Sequence, residues 1–189
     1  EVIPSPVYKK SEVLDQCSTL TLLFQGNYGI EFRAYNEAAA YRFTTTRKGD
    51  YTVKNEVAEF AFEKDNNVYC SYVRSNSQKT FEQQYFNSFE GPYFIEPMTT
   101  MGKQRLMYLP VLVDMGDKKV CITETDLVNY PGLYLYNSNK DTTLESHFAT
   151  VPDEVEQGGH NMLQGLVNSR KPYIAALNGA RTFPWRICN

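Results

Sequence analysis

Hydrophobic and polar residues alternate with a period of two along most of the chain. Residues 19–24 (TLTLLF) are followed by the turn QGNYG, and GIEFRAY then places Ile30 and Phe32 on one face and Glu31 and Arg33 on the other. A short turn leads into AAAYRFT, which alternates in the same way. This pattern predicts a β-hairpin near the start of the chain.

The same alternation predicts strands over much of the remaining chain. A long alternating run ends near residue 62, and VYCSYV predicts the next strand. RLMYLPVLVDM and KVCITET predict a second hairpin, in which Pro110 favours an edge position or a bulge. YPGLYLY and TTLESHFAT predict a third hairpin, and KPYIAAL and ARTFPWRI predict two final strands. Residues 74–105 are expected to form a long loop, and residues 152–170 a crossover with at most a turn or two of helix. The predicted fold is all-β, an antiparallel β-sandwich without any helix of ordinary length.

Length and composition favour one domain with a substantial core. The chain has 189 residues, of which 42% are hydrophobic and 22% charged, and its net charge is −3. Charges of both signs are mixed along the chain, so nucleic acid is not an expected partner. No hydrophobic run approaches the length of a membrane span. The chain starts at Glu1 and ends within a predicted strand, so we expect it to be part of a longer protein.

Few residues have the spacing of a catalytic or metal site. His147 and His160 are the only histidines, and His147 lies on the polar side of its predicted strand, where it is expected to be solvated. There is no GxSxG or HExxH motif. NSNKDTTLE faintly resembles a calcium loop, but Thr142 and Phe148 stand where such a loop needs Gly and Glu, so a polar hairpin turn is the better interpretation. Trp185 alone is weak support for a sugar platform.

The four cysteines also lack the spacing of a metal site. Cys17, Cys70, Cys121 and Cys188 are far apart and contain no CxxC pair. Buried cysteine behaves as a small hydrophobic residue, so mostly buried free thiols are expected.

Glu124 departs from the pattern of its own strand. In VCITET, Val120, Ile122 and Glu124 share one face, so the apolar stripe ends in a carboxylate. In one interpretation the strand leaves the core at this point and the carboxylate reaches solvent. In the other, Glu124 is held at the rim of the sandwich to bind a cation or ligand, because an inward-facing charge needs a partner. Asp126 follows on the same parity and slightly favours the second interpretation.

Three sequence blocks resemble the N-terminal domain of glycoside hydrolase family 97, the α-glucosidases and α-galactosidases of gut-type Bacteroidetes. The blocks are NYGIEFRAYNEAAAYRF, TETDLVNYPGLYL and YIAALNGARTFPWRI, in the order in which the family has them. The resemblance implies a β-super-sandwich of the galactose-mutarotase-like kind, followed by a (β/α)₈ barrel that carries the catalytic residues. Residues 1–189 would then form one truncated sandwich domain that lacks its first strands and the downstream barrel. The resemblance also implies a periplasmic or extracellular location.

The resemblance assigns a role to Glu124. In the family, a glutamate of the second block reaches the barrel and helps to hold the catalytic calcium ion, and here that residue is Glu124. The implied function is that of a non-catalytic domain that packs on the barrel and helps to complete its calcium and active site, where an oligosaccharide substrate binds. Calcium takes six to eight oxygen ligands, so the isolated chain is expected neither to bind it tightly nor to hydrolyse glycosides.

Two other classes of function stay open from the sequence. One is a stand-alone carbohydrate-binding sandwich, and the other is a purely structural or interaction domain. Missing strands also predict an exposed sheet edge or apolar patch, through which the chain would self-associate.

Overall fold

The computed structural model describes residues 1–5, 9–73, 80–85, 91–138 and 140–189. Within these residues the chain forms short strands joined by turns, with one α-helix, α1 (Phe81–Tyr85), and single 3₁₀ turns at Met98–Thr100 and His160–Met162. The strands are, in chain order, β1 (Val2–Pro4), β2 (Glu12–Leu14), β3 (Ser18–Phe24), β4 (Tyr28–Ala34), β5 (Ala39–Thr45), β6 (Asp50–Val53), β7 (Glu59–Ala61), β8 (Asn67–Tyr72), β9 (Phe94–Pro97), β10 (Met107–Asp114), β11 (Lys119–Thr125), β12 (Tyr134–Asn137), β13 (Thr143–His147), β14 (Pro152–Gly158), β15 (Gln164–Arg170), β16 (Ala175–Asn178), β17 (Arg181–Thr182) and β18 (Trp185–Cys188).

Twelve of the described strands form one continuous antiparallel sheet. Its main path runs β3-β4-β5-β18-β11-β10-β12-β13-β7, with β17 beside β5, β8 beside β10 and β9 beside β8. The three predicted hairpins are confirmed as β4–β5, β10–β11 and β12–β13. Three further two-stranded sheets pair β1 with β2, β14 with β15, and β6 with β16. The all-β prediction is therefore confirmed.

The hydrophobic core lies on one side of the curled sheet. Its largest cluster joins apolar side chains of β8, β10, β11, β12 and β13, including Val68, Val111, Ile122, Leu135 and Leu144, each fully buried. These residues alternate with half-exposed ones along their strands, as expected when one face of a sheet is packed.

A smaller cluster supplies the second layer over β5. There Ala175 and Leu177 of β16 pack with Phe183 against Phe43 and Tyr51. The two-stranded β6–β16 sheet thus covers the inner side of the large sheet near β5, the neighbour of β18.

Several predictions from the local pattern were wrong because contacts with residues distant in the sequence decide the structure. Residues 152–170 form the β14–β15 hairpin with a 3₁₀ turn at its tip, not a crossover. The predicted loop at 74–105 contains α1 and β9, although 74–79 and 86–90 lie outside the described residues. Pro110 lies inside the sheet rather than at its edge, but the register between β8 and β10 shifts between Tyr108 and Leu112, which is the predicted bulge.

The inner face of the sheet is left uncovered at the β3 end. Leu20, Leu22 and Phe24 of β3 stand opposite Phe32, Ile30 and Tyr28 of β4. Leu20 is 55% exposed and Tyr28 is 51% exposed, so this apolar face meets solvent. Ordinary soluble domains rarely leave such a face open, and it is the exposed patch that the sequence predicts.

Candidate functional site

A cross-strand pair at the centre of the sheet brings Glu124 against Arg186. Glu124 of β11 and Arg186 of β18 are directly opposite in the antiparallel register. Because opposite residues of adjacent strands share a face, both side chains enter the inner side of the sheet. The same row continues through Tyr41 of β5 and Phe32 of β4 to Leu20 of β3. The row therefore passes from a charged pair to the uncovered apolar face.

Arg186 is held between two glutamates. Its Nε and Nη2 donate to Oε1 and Oε2 of Glu56 over 2.7 Å and 2.9 Å, and its Nη1 donates to Oε2 of Glu124 over 2.5 Å. The Arg186 side chain is 0% exposed, that of Glu56 4% and that of Glu124 10%. Two parallel bonds to one carboxylate are the strongest and most directional arrangement that a guanidinium makes.

Further contacts fix the two carboxylates. The Tyr130 hydroxyl donates to Oε2 of Glu56 over 3.0 Å. The backbone N–H of Leu133 lies 2.9 Å from Oε1 and 3.1 Å from Oε2 of Glu124, so both oxygens of this carboxylate are anchored at one side. The Arg186 guanidinium also lies 5.1 Å from the centre of the Phe148 ring, within cation–π range.

The cluster carries one more negative charge than positive. One guanidinium faces two carboxylates, and all three groups are nearly removed from water. Burial raises the pKa of the Glu124 carboxyl, while the Leu133 N–H and the Arg186 charge act in the opposite direction. Burial by itself lowers the pKa of Arg186, but the bonds and charges of Glu56 and then of Glu124 outweigh it, so this pKa is raised.

Space remains beside the outer oxygen of Glu124. Gly132 stands there, and a Cβ at this position would lie 3.4 Å from Glu124 Oε1. A carboxylate offers about four lone-pair positions, and Leu133 and Arg186 occupy only part of them. Glu124 thus keeps acceptor capacity beyond these two partners.

The interpretation that Glu124 reaches solvent is wrong, because its carboxylate turns inward to Arg186. Asp126 does not join it: this residue is exposed and occupies a left-handed backbone conformation with φ of 66°. Sequence reasoning missed Arg186, Glu56 and Tyr130. An arginine between apolar residues in FPWRI was the available signal for Arg186, whereas VKNEVAEF gives no local reason to single out Glu56.

The described residues do not form a complete metal site. They contain no group of three or more His, Cys, Asp or Glu side chains arranged to hold a metal ion. Carboxylate oxygen is the ligand that calcium prefers. The Glu124 carboxylate has the chemistry of one such ligand, and a calcium ion held there would need further oxygen ligands.

His147 is half-buried, so the expectation that it is solvated is wrong. Its ring lies 4.0 Å from the Phe81 ring, and its Nε2 shares a hydrogen bond with the Tyr85 hydroxyl. Both partners come from α1, which covers the polar side of β13. Burial lowers the pKa of His147 to about 4.

The other candidates from the sequence, the NSNKDTTLE segment and Trp185, make contacts within the domain. NSNKDTTLE forms the turn between β12 and β13, where the fully buried Asn137 donates to the carbonyls of Met98 and Asp141; residue 139 lies outside the described residues. The guanidiniums of Arg33 and Arg42 lie 4.8 Å and 4.3 Å from the centre of the Trp185 ring, so this ring is not a free sugar platform.

The cysteines are free thiols, of which only one is buried. Cys70 is buried, whereas Cys17, Cys121 and Cys188 are half-buried. The expectation of free thiols is confirmed, and the expectation that most are buried is wrong.

The fold and the site together define a class: an antiparallel β-sandwich domain with a buried Glu–Arg–Glu cluster on the inner face of its large sheet. The family model described as Glycosyl-hydrolase 97 N-terminal matches residues 1–189. The chain belongs to this family.

Relatives of the chain are considerably longer than the chain. A retaining alpha-galactosidase of Bacteroides thetaiotaomicron is 46% identical over 188 residues, which are 99% of this chain and 28% of the relative. The chain also superposes on a Glycoside Hydrolase Family 97 enzyme of Pseudoalteromonas sp. strain K8, solved in complex with acarbose, with a TM-score of 0.69 and 17% sequence identity. The match covers 100% of this chain and 25% of the enzyme chain. A variant of that enzyme in complex with panose superposes equally well. At this identity the solved structures support the fold alone.

Proposed function

We propose that this chain is the non-catalytic N-terminal domain of a family 97 α-glycosidase, that it packs on the catalytic (β/α)₈ barrel of the same polypeptide, and that it helps to complete the calcium site there. The observation that carries the proposal is the buried cluster with one surplus carboxylate. Glu124 holds that surplus charge at the open side of the cluster, next to Gly132. A surplus buried charge is unfavourable for a domain by itself and favourable once a cation lies beside it.

The residues of this chain contribute position and charge rather than bond cleavage. Glu124 would hold a calcium ion together with ligands from the barrel, and the bound ion would supply Lewis-acid chemistry near the scissile bond. Glu124 supplies one anionic oxygen, and Leu133 and Arg186 hold its carboxylate in a single orientation. Tyr130 packs against Phe183 and Phe148 and donates to Glu56, so it closes the inner side of the cluster.

The partners and location follow from this role. The substrate of the intact enzyme would be an oligosaccharide, since the 46% identical relative is a retaining alpha-galactosidase. We propose a periplasmic or extracellular location for the intact enzyme. Among the described residues, no helix has the length and hydrophobicity needed to cross a membrane.

The test is a calcium titration of the family-length polypeptide with Glu124→Gln, which keeps the shape and removes the charge. Calcium affinity is expected to fall at least 10-fold, the effect typical of altered metal shells. Glu145→Gln is the matched control, because Glu145 is also half-buried and hydrogen-bonded, but to Tyr136 on a different part of the sheet. Unchanged affinity in Glu124→Gln would refute the proposed role.

A cleft on the outer face of the sheet favours carbohydrate binding as a second candidate function. This cleft has a volume of about 310 Å³ and is lined by Tyr69, Tyr93, Pro110, Leu112 and Cys121. Tyr93 is 65% exposed, so its ring is available for stacking on a sugar. This function is tested by titrating the wild-type chain and its Tyr93→Ala variant with panose and with an α-galactoside. Binding that Tyr93→Ala abolishes would support it, and the absence of binding at millimolar sugar would exclude it.

A further inference from the structure

We infer that Arg186 and Glu56 are positioning residues for Glu124: Arg186 fixes the direction of the Glu124 carboxylate, and Glu56 cancels the charge of Arg186 so that Glu124 keeps its own charge for a cation. The inference rests on the proposed function, because it concerns how the ligand of that site is prepared. Neither residue is suggested to touch the ion.

The orientation follows from where the two donors lie. Arg186 Nη1 donates to Oε2 of Glu124 over 2.5 Å, and the Leu133 N–H approaches both oxygens of the same carboxylate. These contacts restrict the rotation of the carboxylate. Oε1 has no bond to Arg186 and lies beside Gly132, where a Cβ would fit at 3.4 Å from it. A ligand that is held in this way loses little freedom when the ion binds.

Charge explains why a second glutamate is needed. If Glu124 were the only partner of Arg186, the pair would be neutral, and a neutral pair attracts a divalent cation weakly. Glu56 instead takes two of the three Arg186 contacts, over 2.7 Å and 2.9 Å. The Arg186–Glu56 pair is neutral, so the net charge of the cluster is that of the Glu124 carboxylate. Arg186 therefore serves as a hydrogen-bond donor to Glu124 without cancelling its charge.

A purely structural role for the cluster explains the geometry less completely. A buried arginine needs one carboxylate to offset its desolvation, and burying a second one adds a penalty with no compensating cation. A group of ion pairs on the other face of the same sheet shows this difference: Arg42 and Arg33 contact Glu31, and Arg33 also lies 3.7 Å from Asp15. That group has two positive and two negative charges, whereas the Glu124 cluster has one positive and two negative charges.

The experiment compares calcium affinities of the family-length polypeptide, measured by calorimetric titration after calcium removal, with melting temperatures of the calcium-free protein. Glu56→Gln leaves the shape and makes the cluster neutral, so calcium is expected to bind at least 10-fold more weakly. The double variant Glu56→Gln with Arg186→Gln removes both opposite charges and returns the net charge to that of Glu124 alone. It is expected to recover part of the affinity that Glu56→Gln loses. Arg42→Lys is the matched control, expected to alter melting without altering calcium affinity.

The outcomes separate this inference from the proposed function. Weak binding in Glu124→Gln together with normal binding in Glu56→Gln would overturn the positioning role and leave the calcium role intact. Normal binding in Glu124→Gln would remove both. An equal loss of affinity in Arg42→Lys, or a double variant that binds more weakly than Glu56→Gln, would also overturn the inference, because either would trace the loss to general destabilisation. Partial recovery in the double variant, with normal binding in Arg42→Lys, would support it.

Discussion

At the scale of single residues, the unusual feature is a fully buried guanidinium with two unequal partners. Glu56 makes two charge-assisted bonds to Arg186 and is nearly unexposed, whereas Glu124 makes one and lies at the margin of the cluster. Loss of Glu56 takes two hydrogen bonds from the buried guanidinium, whereas loss of the Glu124 charge weakens one bond and also removes the surplus negative charge. The two glutamates should therefore differ in their effect on folding.

The first prediction concerns the free energy of unfolding of the chain. Glu56→Gln should lower it by about 3 kcal/mol, because Arg186 loses charge-assisted hydrogen bonds to the partner that makes two of them. Glu124→Gln should change it by less than about 1 kcal/mol, since an amide oxygen can still accept from Arg186 and Leu133 and the surplus negative charge is removed. Urea unfolding followed by fluorescence measures both. Equal losses in the two variants would show that the asymmetry of the cluster has no energetic meaning.

The second prediction concerns the pH dependence that His147 imposes. Burial lowers its pKa from 6.5 to about 4, so between these values the unfolded chain binds a proton that the folded chain does not. The contribution of His147 to stability is thus complete above pH 6.5 and is lost as the pH falls towards 4. The nearest charged neighbours are Glu82 and Arg170, which form an ion pair close to Tyr85. This ion pair is the same in the wild type and in a variant of His147.

The measurement is the urea midpoint of the wild type and of His147→Asn across this pH range. The wild type should lose stability on acidification more steeply than His147→Asn. His160→Asn is the control, because His160 is exposed, and it should follow the wild type. Parallel curves for the wild type and His147→Asn would contradict a neutral, buried imidazole.

At the scale of elements, the alternation of residues was sufficient to predict hairpins between consecutive strands. It was not sufficient to predict contacts between residues that are distant in the sequence. The hairpins β4–β5, β10–β11 and β12–β13 follow from period two and short turns, both of which are local signals. Arg186 and Glu56 are 130 positions apart, and no pattern in the sequence connects them. The prediction that His147 is solvated was wrong for the same reason. The polar face of its strand is covered by α1, which precedes it by more than 60 residues.

The third prediction concerns the uncovered face of β3. Two chains can bury this face against each other, because an apolar sheet face that is copied in both partners is self-complementary under two-fold symmetry. The isolated chain is therefore expected to associate with rising concentration. Leu22→Lys places a charge on this face and should shift the chain towards monomer in light scattering.

Leu23→Lys is the control for this experiment. Leu23 is the next residue of the same strand, points to the opposite face and is 79% exposed. It should leave association unchanged. A monomer at all concentrations in the wild type, or equal effects of the two variants, would contradict association through the inner face.

At the scale of the whole molecule, the chain corresponds to the N-terminal domain of family 97 enzymes. Its largest hydrophobic cluster surrounds β8, β10 and β11, and the described residues hold no group of three or more metal-binding side chains. The chain spans 28% of the length of the curated relative that it matches.

The fourth prediction follows from this organisation. The isolated chain should not hydrolyse nitrophenyl α-galactosides or α-glucosides, with or without calcium, because Glu124 and Glu56 are both committed to Arg186 and neither has a second free carboxylate opposite it for acid–base chemistry. Absorbance of released nitrophenol measures this. Turnover that follows the chain through purification and disappears in Glu124→Gln would show that the chain is itself an enzyme.

The account depends most on the claim that Glu124 is a ligand of a calcium ion completed by the rest of the polypeptide. The direct measurement is a crystal structure of the family-length polypeptide with bound calcium, located by its anomalous signal. We expect the ion at about 2.3–2.6 Å from Glu124 Oε1, the range for calcium–oxygen bonds. We also expect the hydrogen bonds between Arg186 and Glu56 to be retained. An ion bound elsewhere, with the Glu124 carboxylate still enclosed between Arg186 and Leu133 and out of its reach, would contradict it.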